Sequence, residues 1–312
     1  MHRYTEAQLA RYFDRIDYAR DARQQASADP LGFLTALQRH HMARVPFESV
    51  SLHYSKARLL SLDPEDLYTK IVVNRRGGYC MEVNAFFATV LRSLGFKLIS
   101  AGGRVMITGA SPGWDHMVNL VTVNGRRYLV DVGFGSNCPP HPVPLEHDHQ
   151  FVGVAGIRGK LEYRALKEHT DPSQRVWVYS AKESGDAPWQ EMYAVAEIEF
   201  IPGDFDVMNL KTMTSPQSFF VQHVTCVRTI VDPAGDRAVG LLILHRDNVK
   251  QRRAGQPETN ETLETEEQRV RALEKYFGIL LTPEEQGAIR GLASELGRQR
   301  DRGRVSHPRQ RT

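Results

Sequence analysis

The sequence predicts an α+β fold in three parts, on three observations. Residues 1–95 carry apolar side chains at helical spacing, with few strand signals. From Lys97 the pattern switches to short β-rich runs separated by turn residues, which predicts an antiparallel barrel or curled sheet. Beyond about residue 205, further strands precede two helix starts. The parts are therefore expected at 1–95, 96–205 and 206–296, followed by a basic tail at 297–312. With 312 residues, 41% hydrophobic and 25% charged, the chain has the make-up of a globular protein with ample core.

In order, Thr5 is placed to cap a first helix containing Leu9, Tyr12, Phe13 and Ile16. Pro46-Phe47-Glu48 reads as a turn, and Ser61 to Ile71 as a short helical stretch. A longer helix opens at Cys80, with apolar residues at Val83, Phe86, Phe87, Val90, Leu91 and Leu94 and Gly95 as its stop. Strands are expected at Lys97–Ile107, His116–Val123, Arg126–Gly133, Lys160–Leu166, Val176–Tyr179 and Ala196–Phe200. Gly203 to Ser215 reads as an irregular connector. Phe219–Val231 and Val239–Leu244 are the last strands. Thr265–Phe277 then reads as a helix, and Thr282 and Pro283 as the cap and first residue of another.

The net charge of +3 is unevenly placed. The segment 298–312 holds six arginines against Asp301, which leaves the rest of the chain about −2. No aromatic residue interleaves with those arginines to stack bases, so a solvated, disordered tail is expected rather than a nucleic-acid site. No apolar run approaches the roughly 18 residues of a membrane span, and the N-terminal residues are polar. Cys80, Cys138 and Cys226 are too widely and irregularly spaced for a disulfide framework or a zinc site. A reducing, cytoplasmic compartment is the expectation, with no metal and no membrane or nucleic-acid partner.

Chemistry concentrates in two segments. Cys80 follows Arg76-Gly77-Gly78-Tyr79 at a helix start, where the positive helix end favours a thiolate. A buried, inert cysteine at the head of a core helix is the competing reading. The second segment is a hairpin. Asn124-Gly125 between two β-rich runs predicts a two-residue type I′ turn. That register sets His116 opposite Gly133 and Asp131 opposite Val118, so His116 and Asp131 become diagonal neighbours on one face. A histidine beside a carboxylate is an oriented general base, and Cys80 would complete a nucleophile–base–orienter set. Cys138 and Cys226 read as structural.

Arg76-Gly77-Gly78-Tyr79-Cys80 with Glu82 and Asn84, then Trp114 to Asn119, then Asp131-Val132-Gly133-Phe134-Gly135, resembles the arylamine N-acetyltransferase family. Val45-Pro46-Phe47-Glu48 and Thr214-Ser215-Pro216 extend the likeness over about residues 5–290. The resemblance implies a helical bundle, a β-barrel and an α/β lid around a cysteine-protease-like core. It also implies a catalytic triad of Cys80, His116 and Asp131. Further roles that it implies are pocket positions at Phe47, Val105 and Phe134, support from Asn84, and a buried Arg76–Glu48 ion pair under the cysteine loop. Gly113, Thr214 and Ser215 would lie along the CoA path. The implied activity is acyl transfer from acyl-CoA, as co-substrate rather than bound cofactor, to arylamines, arylhydroxylamines or hydrazines through an acyl-cysteine.

Rival readings are a cysteine hydrolase using the same three residues, a non-catalytic binding module, and nucleic-acid binding through the tail. Acetyl, propionyl and malonyl donors all fit the resemblance. A malonyl donor would call for a cation near the acyl pocket, with Arg104 and Arg76 as candidates. The residues leave the preferred amine and the oligomeric state open.

Overall fold

The computed structural model describes residues 1–18, 25, 27–107, 113–183 and 185–297. The basic tail beyond 297 lies outside the described residues. Helix α1 (Glu6–Arg15) starts at Thr5, whose hydroxyl accepts from the Gln8 amide while Gln8 reaches back to the Thr5 N–H. Helix α2 (Pro30–Arg44) was not anticipated from the sequence. Asp29 caps it, and its buried face includes Gln38 and His41 beside Phe33, Leu34 and Leu37, so polar residues interrupt the apolar stripe. Pro46-Phe47-Glu48 is not simply a turn. Phe47–Glu48 forms strand β1, which only a distant partner defines. After α3 (Pro64–Tyr68), helix α4 (Cys80–Ser93) runs to the expected stop, where Gly95 adopts φ +89°.

Strands β2 (Lys97–Val105), β3 (His116–Val123), β4 (Arg126–Val130), β5 (Val143–Pro144), β6 (His149–Val152), β7 (Arg158–Arg164), β8 (Val176–Lys182) and β9 (Gln190–Val195) form one antiparallel sheet. Its order is β5-β4-β3-β2-β9-β8-β7-β6. The sheet curls until its two edges share a core. Val143 of β5 and Phe151 of β6 pack in one cluster with Val118, Leu120, Leu129, Tyr179 and Tyr193. The expected strand at Ala196–Phe200 is displaced to β9, just upstream.

Gly203 to Ser215, expected to be irregular, lies mostly in helix α5 (Pro202–Thr214), with Pro202 at its first position. The periodicity is hidden because Asn209 and Thr212 share the buried face with Phe205 and Met208, while Val207 and Leu210 face solvent. The single strand expected at Phe219–Val231 divides into α6 (Phe219–Gln222) and β10 (Thr225–Val231). With β11 (Ala238–His245), β12 (Asn248–Arg253) and β13 (Thr259–Thr262) it forms the second sheet, ordered β1-β10-β11-β12-β13. Helices α7 (Glu266–Phe277) and α8 (Pro283–Ala288) begin at Thr265 and Thr282 as expected. Helix α7 buries Ala272, Leu273 and Phe277 against Cys226, Leu242 and Leu244 of this sheet. The result is an α+β fold: a helical N-terminal part, a nearly closed antiparallel barrel, and a C-terminal sheet backed by helices.

Candidate active site

The loop before Cys80 is laid against β1. Phe47 bridges to Gly78, the Glu48 N–H donates to Gly78 O at 3.0 Å, and the Gly78 N–H donates to Pro46 O at 3.3 Å. A Cβ on Gly77 would fall 1.8 Å from the Pro46 carbonyl oxygen, so only glycine permits that approach. Glu48 does not pair with Arg76, as the resemblance implied. Its carboxylate accepts from the Gly77 amide at 3.2 Å and from the Val50 amide, while Arg76 Nη1 meets Glu285 Oε1 of α8 at 2.9 Å. A second ion pair supports the start of α4: Lys70 Nζ lies 2.5 Å from Glu82 Oε1, and Glu82 Oε2 accepts from the Tyr79 amide at 3.2 Å. Burial pushes the Glu82 carboxyl up from its ordinary pKa, with the Lys70 charge opposing.

Strands β3 and β4 pair in the register expected from Asn124-Gly125, from Val123↔Arg126 to Asn119↔Val130, and both turn residues have positive φ. That register brings His116 Nε2 to 2.8 Å from Asp131 Oδ2. Nε2 is thereby committed, and Nδ1 is the ring nitrogen left for Cys80. The thiol itself points at Asp115 O, 3.8 Å away. Cys80, His116 and Asp131 are 3%, 1% and 0% exposed, so water does not screen their interactions. Burial disfavours an imidazolium at His116. The Asp131 charge and hydrogen bond, with those of Cys80, outweigh it and raise the His116 pKa to about 10. For Asp131, burial acts upward, but the His116 charge and hydrogen bonds from His116, Asn84 and the Gly133 amide hold it below the usual carboxylate range.

Asn84 ties the helix to the hairpin. Its Nδ2 donates to Asp131 Oδ1 at 2.9 Å and to Met117 O at 2.8 Å, and its Oδ1 accepts from the Val132 amide at 3.1 Å. The Gly133 amide donates to Asp131 Oδ1 at 2.7 Å. Gln38 of α2 and Cys138 both donate to the Asp131 carbonyl, at 3.0 and 3.2 Å. Nearly every acceptor on Asp131 is thus occupied, which fixes the carboxylate that orients His116.

Of the expected pocket residues, Phe134 packs edge-on against His116 with ring centroids 5.0 Å apart, and Phe47 lies against Gly135 and the ring of Phe220. Val105 pairs with Tyr193 across β2 and β9. Tyr193 itself was missed: its ring centroid is 4.7 Å from His116, a contact that depends on a strand pairing some 90 residues away. Phe220, Trp114, Phe205 and Met208 pack in one cluster with Cys80 and were not anticipated either. Gly113 is exposed, three residues before His116. Thr214 and Ser215 stand at the end of α5, where their hydroxyls donate locally to Leu210 O and Gln217 Oε1. Among the described residues no group of His, Cys, Asp or Glu is arranged to hold a metal ion, and no helix is long and apolar enough to cross a membrane.

A family profile for N-acetyltransferase matches residues 30–286. An N-malonyltransferase of Gibberella moniliformis is 35% identical over 319 residues, covering 92% of this chain and 92% of that protein. The arylamine N-acetyltransferase of Escherichia coli (strain K12) is 33% identical over 226 residues, which is 72% of this chain and 74% of that one. Among solved structures, Mycobacterium marinum arylamine N-acetyltransferase in complex with CoA aligns with a TM-score of 0.74 at 28% identity, over 90% of this chain and 96% of that one. The chain belongs to the arylamine N-acetyltransferase family.

Proposed function

We propose that this protein is a cytoplasmic N-acyltransferase that moves a short acyl group from CoA to an aromatic amine, hydroxylamine or hydrazine, with Cys80 as the transient carrier. The observation that carries this reading is the buried His116–Asp131 pair at 2.8 Å beside a thiol at a helix start. The Cys80 thiolate adds to the thioester carbonyl, the carbon–sulfur bond to CoA breaks, and the departing thiolate takes a proton from the His116 imidazolium. The amine then adds to the acyl-cysteine and passes a proton to neutral His116. Breaking the carbon–sulfur bond to Cys80 restores thiolate and imidazolium. Asp131 keeps the ring oriented and stabilises its charge. Phe47 and Phe134, the latter edge-on to His116, are the aromatic residues we assign to the amine pocket, and backbone N–H groups near Cys80 are candidates to hold the oxyanion.

The donor we propose is malonyl-CoA, since the Gibberella relative aligned over 92% of the chain is named an N-malonyltransferase; acetyl-CoA is the alternative, after the Escherichia coli relative. Within this reading the helical, barrel and C-terminal units divide the work: the first holds the nucleophile, the second the base, and the third covers the cysteine loop. Initial rates measured over a grid of malonyl-CoA and aniline concentrations should give parallel double-reciprocal lines. Without amine, CoA release should stop at one equivalent per Cys80. Continued release of CoA and free acid would instead favour a cysteine hydrolase, in which water reaches the acyl-cysteine.

A further inference from the structure

We propose that Lys211 selects the donor by binding the free carboxylate of a dicarboxylic acyl thioester beside the Gly113-Trp114-Asp115 strip that leads to Cys80. This inference rests on the acyl-transfer reading above. The buried face of α5 fixes where Lys211 stands. Phe205 and Met208 pack in the cluster that contains Cys80, and Asn209 accepts a hydrogen bond from the Tyr79 hydroxyl, one residue before the thiol. From the same helix Lys211 reaches across to the Gly113-Trp114-Asp115 strip. A Cβ built on Gly113 would lie 3.5 Å from Lys211 Nζ. The strip leads directly to the chemistry, because the Asp115 carbonyl is the 3.8 Å neighbour of the Cys80 sulfur and His116 follows it.

Other cations fit less well. Arg76 is 7% exposed and committed to Glu285. Arg104 lies on the strip, with its guanidinium 4.0 Å over the Trp114 ring, and adds positive potential there. Lys211 has no carboxylate within ion-pair distance among the described residues. Asp115 is the acid facing this corner. One of its oxygens accepts from the Val105 amide at 2.9 Å, and burial pushes its carboxyl toward the neutral form, with His116, Lys211 and Arg104 opposing. Gly113 and Asp115 are two residues apart, about 7 Å along an extended chain. On this proposal a malonyl carboxylate, one methylene beyond the thioester carbonyl, lies between Cys80 and the Lys211 ammonium on its flexible four-carbon stem. The phosphates of CoA are separated from the thioester by the whole pantetheine arm.

The test compares wild type, Lys211→Met and Lys211→Arg with four donors: malonyl-CoA, acetyl-CoA, and the malonyl and acetyl thioesters of N-acetylcysteamine, which lack phosphates. Loss of a charge-assisted contact should lower kcat/KM for both malonyl donors in Lys211→Met by about tenfold or more, with both acetyl donors unchanged. Lys211→Arg should recover much of that loss. An equal fall for the two CoA donors, with the truncated donors unaffected, would assign Lys211 to the phosphates and overturn the proposal. So would an unchanged malonyl-to-acetyl ratio. A wild type that acylates Cys80 from acetyl donors alone removes the malonyl reading but leaves acyl transfer standing; one that takes no acyl group removes both.

Discussion

Gly133 backs directly onto Cys80. A Cβ at position 133 would sit 2.8 Å from the Cys80 Cα and 2.9 Å from both Asn84 Nδ2 and Val83 Cγ2. The missing side chain lets the helix start close on the hairpin, and backbone at such a distance cannot yield cheaply. Gly133→Ala should therefore cost about 1–3 kcal/mol in urea unfolding and slow iodoacetamide labelling of Cys80 in the folded protein. Unchanged stability and labelling would mean that the two segments are not in register.

Asp131→Asn replaces an acceptor with a group that must turn a donor toward at least one of His116, Asn84 and the Gly133 amide. The protein should fold, because volume is conserved. Acylation of Cys80 should slow by about a thousandfold, since imidazolium loses its counter-charge. A rate within tenfold of wild type would remove Asp131 from the mechanism.

The raised His116 pKa makes stability depend on pH. The folded protein holds the proton up to about 10, whereas an unfolded histidine releases it near 6.5. The stabilisation is thus fully present below about pH 6.5 and is lost as pH rises through 10. Wild-type urea midpoints should fall between pH 7 and 10, and His116→Gln should flatten that decline. Asp131 acts in the opposite range: its lowered pKa contributes stability above the ordinary carboxylate range, lost only in acid. Parallel wild-type and His116→Gln profiles from pH 7 to 10 would contradict this account.

Asn84→Ala removes the side-chain partner of Met117 O and of the Val132 amide, both buried, and one of the two donors to Asp131 Oδ1, which keeps the Gly133 amide. Destabilisation of about 2–4 kcal/mol is expected in urea unfolding, together with a reduced acylation rate. A loss below about 0.5 kcal/mol would show that Asn84 is not the link between helix and hairpin.

Elements with local signals were legible in the sequence. Thr5 and Thr282 cap the helices they were expected to cap, the helix expected from Thr265 starts there with Thr265 as its cap, and Asn124-Gly125 set the hairpin register that joins His116 to Asp131. Elements defined by distant partners were not. Strand β1 exists because Phe47 and Glu48 pair with Val227 and Cys226 of β10. Tyr193 reaches His116 only because β9 lies beside β2. Arg76 finds its acid 209 positions along the chain, where neither periodicity nor likeness pointed. Helix α5 escaped notice because buried Asn209 and Thr212 break its apolar stripe. The approach of Cys80 to the hairpin belongs to the same class: spacing alone could not supply it, and a glycine makes it possible.

The central claim is that Cys80 carries the acyl group between donor and amine. Intact-mass and peptide mass spectrometry after exposure to malonyl-CoA or acetyl-CoA tests it most directly. The account predicts one acyl adduct, mapped to Cys80, that disappears on adding aniline with formation of the corresponding anilide. An adduct on Cys138 or Cys226 instead, or anilide formation by Cys80→Ser at the wild-type rate, would contradict it.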